Sequence, residues 1–379
     1  MRGGTSKAVF LKESDVPGEP DARLRTILAI FGSPDTRQID GLGGADPLTS
    51  KVAIIGPPRA NNPRAAATHL TYTFGQVALD EPEIDYLSLC GNISSAVGAF
   101  AIAENLVEPT EPLTIVRVYN TNLDRVLTLE VPVAGGRPVE RGDYSVAGVP
   151  GTGAKILVDL SDTAGAATGA LLPTDLPLEC LDVEGGGTIE ASLVDIGNAH
   201  VFVRARDVGL AGTETAAEID ADDELRNRLE RIRGAAACRM GMISDPARSR
   251  VESPATPILG IVSPPADYVN DLTHATVRAA ETDVLSRLMF MQQAHKAYAG
   301  TSTVCTGVAS RIPGTVVHEM TRSETLDRMV VRIGHPAGVI ETETCVESGP
   351  GGLVVRRATL GRTARRILEG YVFVPDTGC

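Results

Sequence analysis

With 379 residues, 43% of them apolar, the chain is long enough for about two domains with ordinary hydrophobic cores. A net charge of −13 excludes a general nucleic-acid or anionic-membrane binder, which needs a basic face; a small anionic substrate stays open, since a few Arg and Lys residues dominate the field inside a cleft. No apolar run reaches the roughly 18 residues of a membrane span and no apolar leader opens the sequence, which predicts a soluble, cytoplasmic protein.

The opening segment, Met1-Arg2-Gly3-Gly4-Thr5-Ser6-Lys7, gathers a guanidinium, two glycines, two hydroxyls and an amine. Such a set suits a compact carboxylate clamp with Arg2 bidentate, and it also reads as a basic, flexible terminus. Residues 21–31 predict an amphipathic helix. The turn Gly41-Leu42-Gly43-Gly44-Ala45-Asp46-Pro47-Leu48-Thr49-Ser50-Lys51 then leads into a strand at 52–55. It lacks the GxxxxGK[ST] spacing of a phosphate loop. Lys51 at a strand start projects either into a cleft, where a partly desolvated amine is a base, or onto the surface.

Next comes Cys90-Gly91-Asn92-Ile93, opening a small, apolar helix predicted at 92–105. A Cys at a helix start meets free backbone N–H groups and the positive end of the helix dipole, which favour an anion. The same pattern fits a small buried residue beside a capped helix. Strands follow at 113–118, 127–133 and 156–160, and a Pro/Gly-rich stretch at 149–173 marks a boundary between domains 1–165 and 166–379, the last strand returning to the first domain.

In the second half strands are predicted at 192–196, 200–203, 258–262, 329–333 and 353–359. Helices are predicted at 222–233, at 283–291 and, small and apolar, at 303–310. Each small helix carries a Cys at or near its start, Cys90 and Cys305, which suggests two similar halves, each wrapping strands around a central helix. Asn198, in Asp195-Ile196-Gly197-Asn198-Ala199-His200, ends a strand where an amide can meet a carboxylate. The six Cys residues form no CxxC pair and the six His no HxH or HExxH, so neither a metal site, a zinc ribbon nor a disulfide framework is expected.

Together these segments resemble the PrpF-like family of 2-methylaconitate, 3-methylitaconate and aconitate isomerases and 4-oxalomesaconate tautomerases. The resemblance rests on Met1-Arg2-Gly3-Gly4-Thr5-Ser6-Lys7, Gly43-Gly44-Ala45-Asp46-Pro47-Leu48-Thr49-Ser50-Lys51-Val52-Ala53 and Cys90-Gly91-Asn92. It continues through Val149-Pro150-Gly151-Thr152-Gly153-Ala154, Thr168-Gly169-Ala170-Leu171-Leu172-Pro173-Thr174, Asp195-Ile196-Gly197-Asn198, His295-Lys296-Ala297-Tyr298-Ala299, Arg311-Ile312-Pro313-Gly314-Thr315-Val316 and Gly361-Arg362-Thr363-Ala364-Arg365-Arg366. It implies an α+β fold of two pseudo-symmetric, diaminopimelate epimerase-like domains, each a mixed, barrel-like sheet around a central helix. It also implies a proton-transferring Lys and Cys, which fall on Lys51 and Cys90. Relatives carry a strand before the Arg-Gly-Gly motif, and this chain starts within the motif. The stretch 57–80 is expected to be an extended loop that influences substrate choice.

The activity implied is a 1,3-allylic isomerisation of a small unsaturated di- or tricarboxylate, without metal or organic cofactor. Lys51 would take a proton and Cys90 or Lys51 would return it at the other end of the allyl system. The N–H groups of Gly91, Asn92 and Ile93, with Ser6, Ser50, Thr301 or Ser302, would hold the developing oxyanion. Arg2, Gly3, Gly4, Thr5, Asn198 and Lys296 would hold the remaining carboxylates. Two alternatives stand beside this one. A two-Cys epimerase would use Cys305 as the second acid or base opposite Cys90. A non-catalytic protein would serve a dehydratase as its partner. A homodimer would be ordinary for such a chain.

Overall fold

The structure, a computed structural model, describes residues 1–86, 89–349 and 352–375; Cys379 lies outside them. The chain forms two compact units, Met1–Asp159 with Gly361–Cys379, and Leu160–Leu360. Both are α+β.

In the first unit, β1 (Arg2–Gly3) turns through Gly4-Thr5 into β2 (Ser6–Lys12), and the late strand Ala364–Arg365 pairs with β1 on its other side. Helix α1 (Pro20–Phe31) starts where the Glu19 carboxylate accepts from the N–H groups of Asp21 and Ala22, and stops at Gly32 in the left-handed conformation. β3 (Lys51–Gly56) runs parallel to β2, with Ala8 beside Lys51. β4 (Leu70–Val77) runs antiparallel to β3, with Gln76 opposite Lys51. Helix α2 (Gly91–Ala103) follows, then β5 (Leu113–Asn120) parallel to β4, β6 (Arg125–Ala134) antiparallel to β5, and β7 (Ile156–Asp159) antiparallel to β6.

Strand alternation sorts these side chains onto two faces. Val9, Leu11, Val52, Ile54 and Val77 pack against Ile27, Leu28, Ile30 and Phe31 of α1. The other face carries Ser6, Ala8, Phe10, Lys51, Ala53, Phe74 and Gln76. It meets α2, whose Phe100 ring lies 5.3 Å from that of Phe10. Helix α2 is apolar nearly all round because it touches β1, β2, β3, β6 and β7.

The second unit opens with β8 (Glu179–Val183), β9 (Gly187–Ile196) and β10 (Asn198–Arg204), the last two joined through Gly197. Helix α3 (Asp223–Arg239) is capped by the Asp222 carboxylate on the N–H of Leu225. β11 (Ile258–Ser263) is parallel to β10 with Ile258 beside His200, and β12 (Val284–Phe290) is antiparallel to β11. Helix α4 (Gly300–Ser310) leads to β13 (Val330–His335), parallel to β12, and β14 (Gly338–Gly349), antiparallel to β13. Helix α4 touches β9, β10, β13 and β14. The sequence hairpin, parallel strand, antiparallel strand, helix, parallel strand, antiparallel strand thus occurs once in each unit.

Three expectations are corrected. Residues 283–291 do not form a helix: 284–290 are the strand β12. Ser286 and Arg287, which looked like a polar helix face, are both buried. Ser286 accepts from the Tyr298 hydroxyl, and Arg287 Nε donates to the Glu214 carbonyl. The stretch 57–80 is not one extended loop; Leu70–Val77 is the strand β4, with Leu70, Tyr72 and Phe74 facing inward. Helix α4 starts at Gly300 rather than Thr303, so Cys305 stands in its middle and not at its start. No helix among the described residues is long and apolar enough to cross a membrane.

Candidate active site

Lys51 is the first residue of β3 and is 7% exposed. Its register places it on the sheet face covered by α2, where its ammonium lies 5.4 Å from the Phe74 ring centre and donates to Gln76 Oε1. The Gln76 amide cannot turn over: its Nε2 donates to the Ser50 carbonyl at 2.9 Å and the Pro47 carbonyl at 3.0 Å. Ser50 is fully buried, and its hydroxyl donates to Gln38 Oε1 at 2.7 Å, so it braces the glycine-rich loop. Ser6 shares the Lys51 face; its hydroxyl is buried and has no partner among the described residues, leaving it available to a ligand.

Cys90 precedes the first helical residue of α2 in extended conformation without a side-chain cap hydrogen bond, and its carbonyl accepts from the Ser94 N–H and hydroxyl. The N–H groups of Gly91, Asn92 and Ile93 belong to the first helical turn, where no intrahelical acceptor exists. Asn92 ties this turn to the rest of the unit: its amide nitrogen donates to Thr5 Oγ1 at 3.0 Å and its Oδ1 accepts from Arg362 Nε at 2.8 Å. Gly3 and Gly4 press against the same turn. A Cβ on Gly3 would lie 2.3 Å from the Asn92 carbonyl oxygen, and Gly4, at φ +48°, would put one 2.1 Å from Asn92 Oδ1. Only glycine fits both places. Burial pushes the Arg362 guanidinium below its ordinary range, while Tyr144 and Cys90 act in the opposite sense. A helix N-terminus with an Arg cation beside it is a site built for negative charge.

Arg2 stands in this cluster as a tie rather than an open clamp. Its Nη1 donates to the carbonyls of Gly4 (3.0 Å) and Thr363 (2.9 Å) and to Thr363 Oγ1 (2.9 Å), joining β1 to the late strand.

The other candidates belong to the second unit. Asn198 donates from Nδ2 to Thr301 Oγ1 at 2.8 Å, and Gly197, at φ +70°, lets the hairpin approach Thr301. Ser302 is fully buried against His200 Nε2 at 2.7 Å. The His200 Nδ1 faces the Asn198 carbonyl, which only accepts, so Nδ1 carries the proton and Nε2 accepts from Ser302. Burial lowers the His200 pKa to about 4, keeping the ring neutral. Lys296 is exposed in the loop before α4. The Cys305 thiol is wholly buried and donates to the Val194 carbonyl at 3.6 Å; burial raises its pKa well above the usual thiol range, with Asp195 adding to the effect.

The structure therefore gathers Gly3, Gly4, Thr5, Gly91, Asn92 and Ile93 at the N-terminal end of α2, and Lys51 and Ser6 on the sheet face that α2 covers, while the Ser50 hydroxyl turns to Gln38. Gln76, Phe74, Gln38 and Arg362 were not anticipated. The alternating pattern of 70–77 would have revealed the strand, but not the register that sets Gln76 opposite Lys51. Nothing local distinguishes Arg362. No three His, Cys, Asp or Glu side chains among the described residues converge to hold a metal ion. Chemically, the arrangement offers an amine, a thiol and a positively polarised helix end, the parts needed to move a proton and stabilise an enolate-like anion.

Comparison with known proteins agrees along the whole length. The PrpF protein family matches residues 1–375. The 3-methylitaconate isomerase of Eubacterium barkeri is 49% identical over 374 residues, 99% of this chain and 96% of that one. The 2-methyl-aconitate isomerase of Shewanella oneidensis is 35% identical over 391 residues, 99% and 96% of the two chains. A crystal structure of methylitaconate-delta-isomerase superposes with a TM-score of 0.92 at 48% identity, covering 98% of this chain and 94% of the other. This chain belongs to the PrpF family.

Proposed function

We propose that the protein is an isomerase that shifts a carbon–carbon double bond in a small unsaturated di- or tricarboxylate by 1,3-proton transfer. The observation that carries the reading is the pairing of a nearly buried lysine with a helix that a cysteine precedes, laid over the same sheet face. Lys51, as neutral amine, takes a proton from the carbon allylic to the double bond. The electron pair spreads through the allyl system onto a carboxylate oxygen. The N–H groups of Gly91, Asn92 and Ile93 hold that oxygen, with Ser6 as a further donor. The Cys90 thiol delivers a proton to the far carbon, and exchange with water returns Lys51 to the amine and Cys90 to the thiol. Each acid/base group contributes roughly 10²–10⁴-fold.

The names of the relatives support the reaction class. The mid-helix, buried thiol of Cys305 speaks against a second acid/base opposite Cys90, and so against the two-Cys epimerase. Proton NMR of the purified protein in D₂O with methylitaconate, 2-methyl-cis-aconitate, trans-aconitate and oxalomesaconate tests the proposal. It requires deuterium at the allylic carbons together with a moved double bond in at least one acid. Exchange at a saturated stereocentre with the double bond in place would refute it.

A further inference from the structure

We infer that Gln76 is a positioning residue that fixes the Lys51 amine for proton transfer; this rests on the reading of Lys51 as the base. Three observations lead there. Gln76 is directly opposite Lys51 in the β3–β4 register, on the face that α2 covers. Its Oε1 accepts from Lys51 Nζ. Its Nε2 is committed to the carbonyls of Ser50 and Pro47, so rotating the amide would set a carbonyl oxygen against two others and an NH₂ against the lysine. One end of this amide thus holds the glycine-rich loop and the other holds the lysine. A buried Gln extends the brace: Gln38 Oε1 accepts from Ser50 Oγ and from the Ala45 N–H at 2.9 Å, and its Nε2 donates to Ser33 Oγ at 3.0 Å.

The consequence is stereochemical. A neutral amine has one lone pair and two N–H bonds. With one N–H held by Gln76, the lone pair is confined to the directions away from β4, and loop, strand and base move as one body. Among the described residues, the groups that meet the Lys51 amine are the Gln76 amide and the ring of Phe74. The ring does not duplicate the acceptor that Gln76 supplies.

The test uses the full chain with Gln76→Glu, Gln76→Leu and, in case either fails to fold, Gln76→Asn. The Lys51 side chain is followed by NMR with ε-¹³C-labelled lysine, assigned with Lys51→Arg, across pH without substrate. A carboxylate at position 76 favours the ammonium and an alkyl group removes the acceptor. The titration midpoint is therefore expected to rise by about one pH unit in Gln76→Glu and to fall in Gln76→Leu and Gln76→Asn. The ascending limb of the rate against pH for methylitaconate should move the same way, with kcat at least about tenfold lower in Gln76→Leu. Unmoved midpoints, or midpoints moved in the same direction, in folded Gln76→Glu and Gln76→Leu overturn the inference. A wild-type protein that turns over none of the four acids sinks the proposed function, while the titration still decides the role of Gln76.

Discussion

The N-terminal ends of α2 and α4 are built on one plan and carry different chemistry. Each helix starts after an extended residue followed by glycine and a polar side chain: Cys90-Gly91-Asn92 in one unit, Ala299-Gly300-Thr301 in the other. In both, a tight glycine hairpin touches the first turn, through Gly4 to Asn92 and through Gly197 to Thr301. Beside the hairpin, the first pair of the parallel strands is Ala8 with Lys51 in the first unit and His200 with Ile258 in the second. The thiol and the amine of one helix end are thus a methyl and a sec-butyl group at the other. In the second unit the polar groups are turned on each other, His200 between the Asn198 carbonyl and Ser302. One plan is used once for acid/base chemistry and once for a neutral, hydrogen-bonded cluster.

The comparison breaks most readily at Lys51 and Cys90. Lys51→Met and Cys90→Ala are each expected to lower kcat by roughly 10²–10⁴-fold with unchanged circular dichroism; a folded variant within a few-fold of wild type would remove that residue from the mechanism. On the other side stands His200. Its pKa is lowered to about 4 from an ordinary 6.5, so between those values the unfolded chain binds a proton that the folded chain does not. Stability is full above about pH 6.5 and is lost as pH falls, by about 2 kcal/mol between pH 7 and pH 5. Urea unfolding at those two pH values should show the loss, and His200→Gln should flatten it; an equal slope in the variant would assign the loss elsewhere.

Smaller effects sharpen the contrast. Asn92→Ala severs the ties to Thr5 and Arg362 and frees the helix end, which should cost about tenfold in kcat/KM. Wild-type kinetics in that variant would mean that the helix end is held by packing alone. Cys305→Ala removes one buried sulfur and should cost about 1 kcal/mol of stability with kcat within about twofold of wild type. A hundredfold loss of turnover there would restore the two-thiol reading.

Much of this was legible in the sequence because it is local. The small, apolar run after Cys90-Gly91-Asn92 could only be a buried helix, and the branched runs at 52–55, 127–133 and 258–262 could only be strands. Lys51 stood out because it follows a glycine-rich turn into a strand, and Cys90 because it precedes Gly91 at a helix start. What sequence could not show is pairing across distance. Gln76 meets Lys51 through a register, and Arg362 reaches Asn92 across 270 residues. The strand 284–290 was hidden because Ser286 and Arg287 mimic the polar face of a helix, although their partners, Tyr298 and the Glu214 carbonyl, keep them buried. Cys305 misled for a related reason, since its depth in α4 depends on where that helix begins.

The most direct test of the asymmetry is alkylation of the native protein with iodoacetamide, with activity and peptide mass mapping followed together. Loss of activity should track carboxamidomethylation of Cys90 one to one, slow when a substrate acid is present, and leave Cys305 unlabelled. Full activity after complete labelling of Cys90, or inactivation that follows Cys305, would contradict the account.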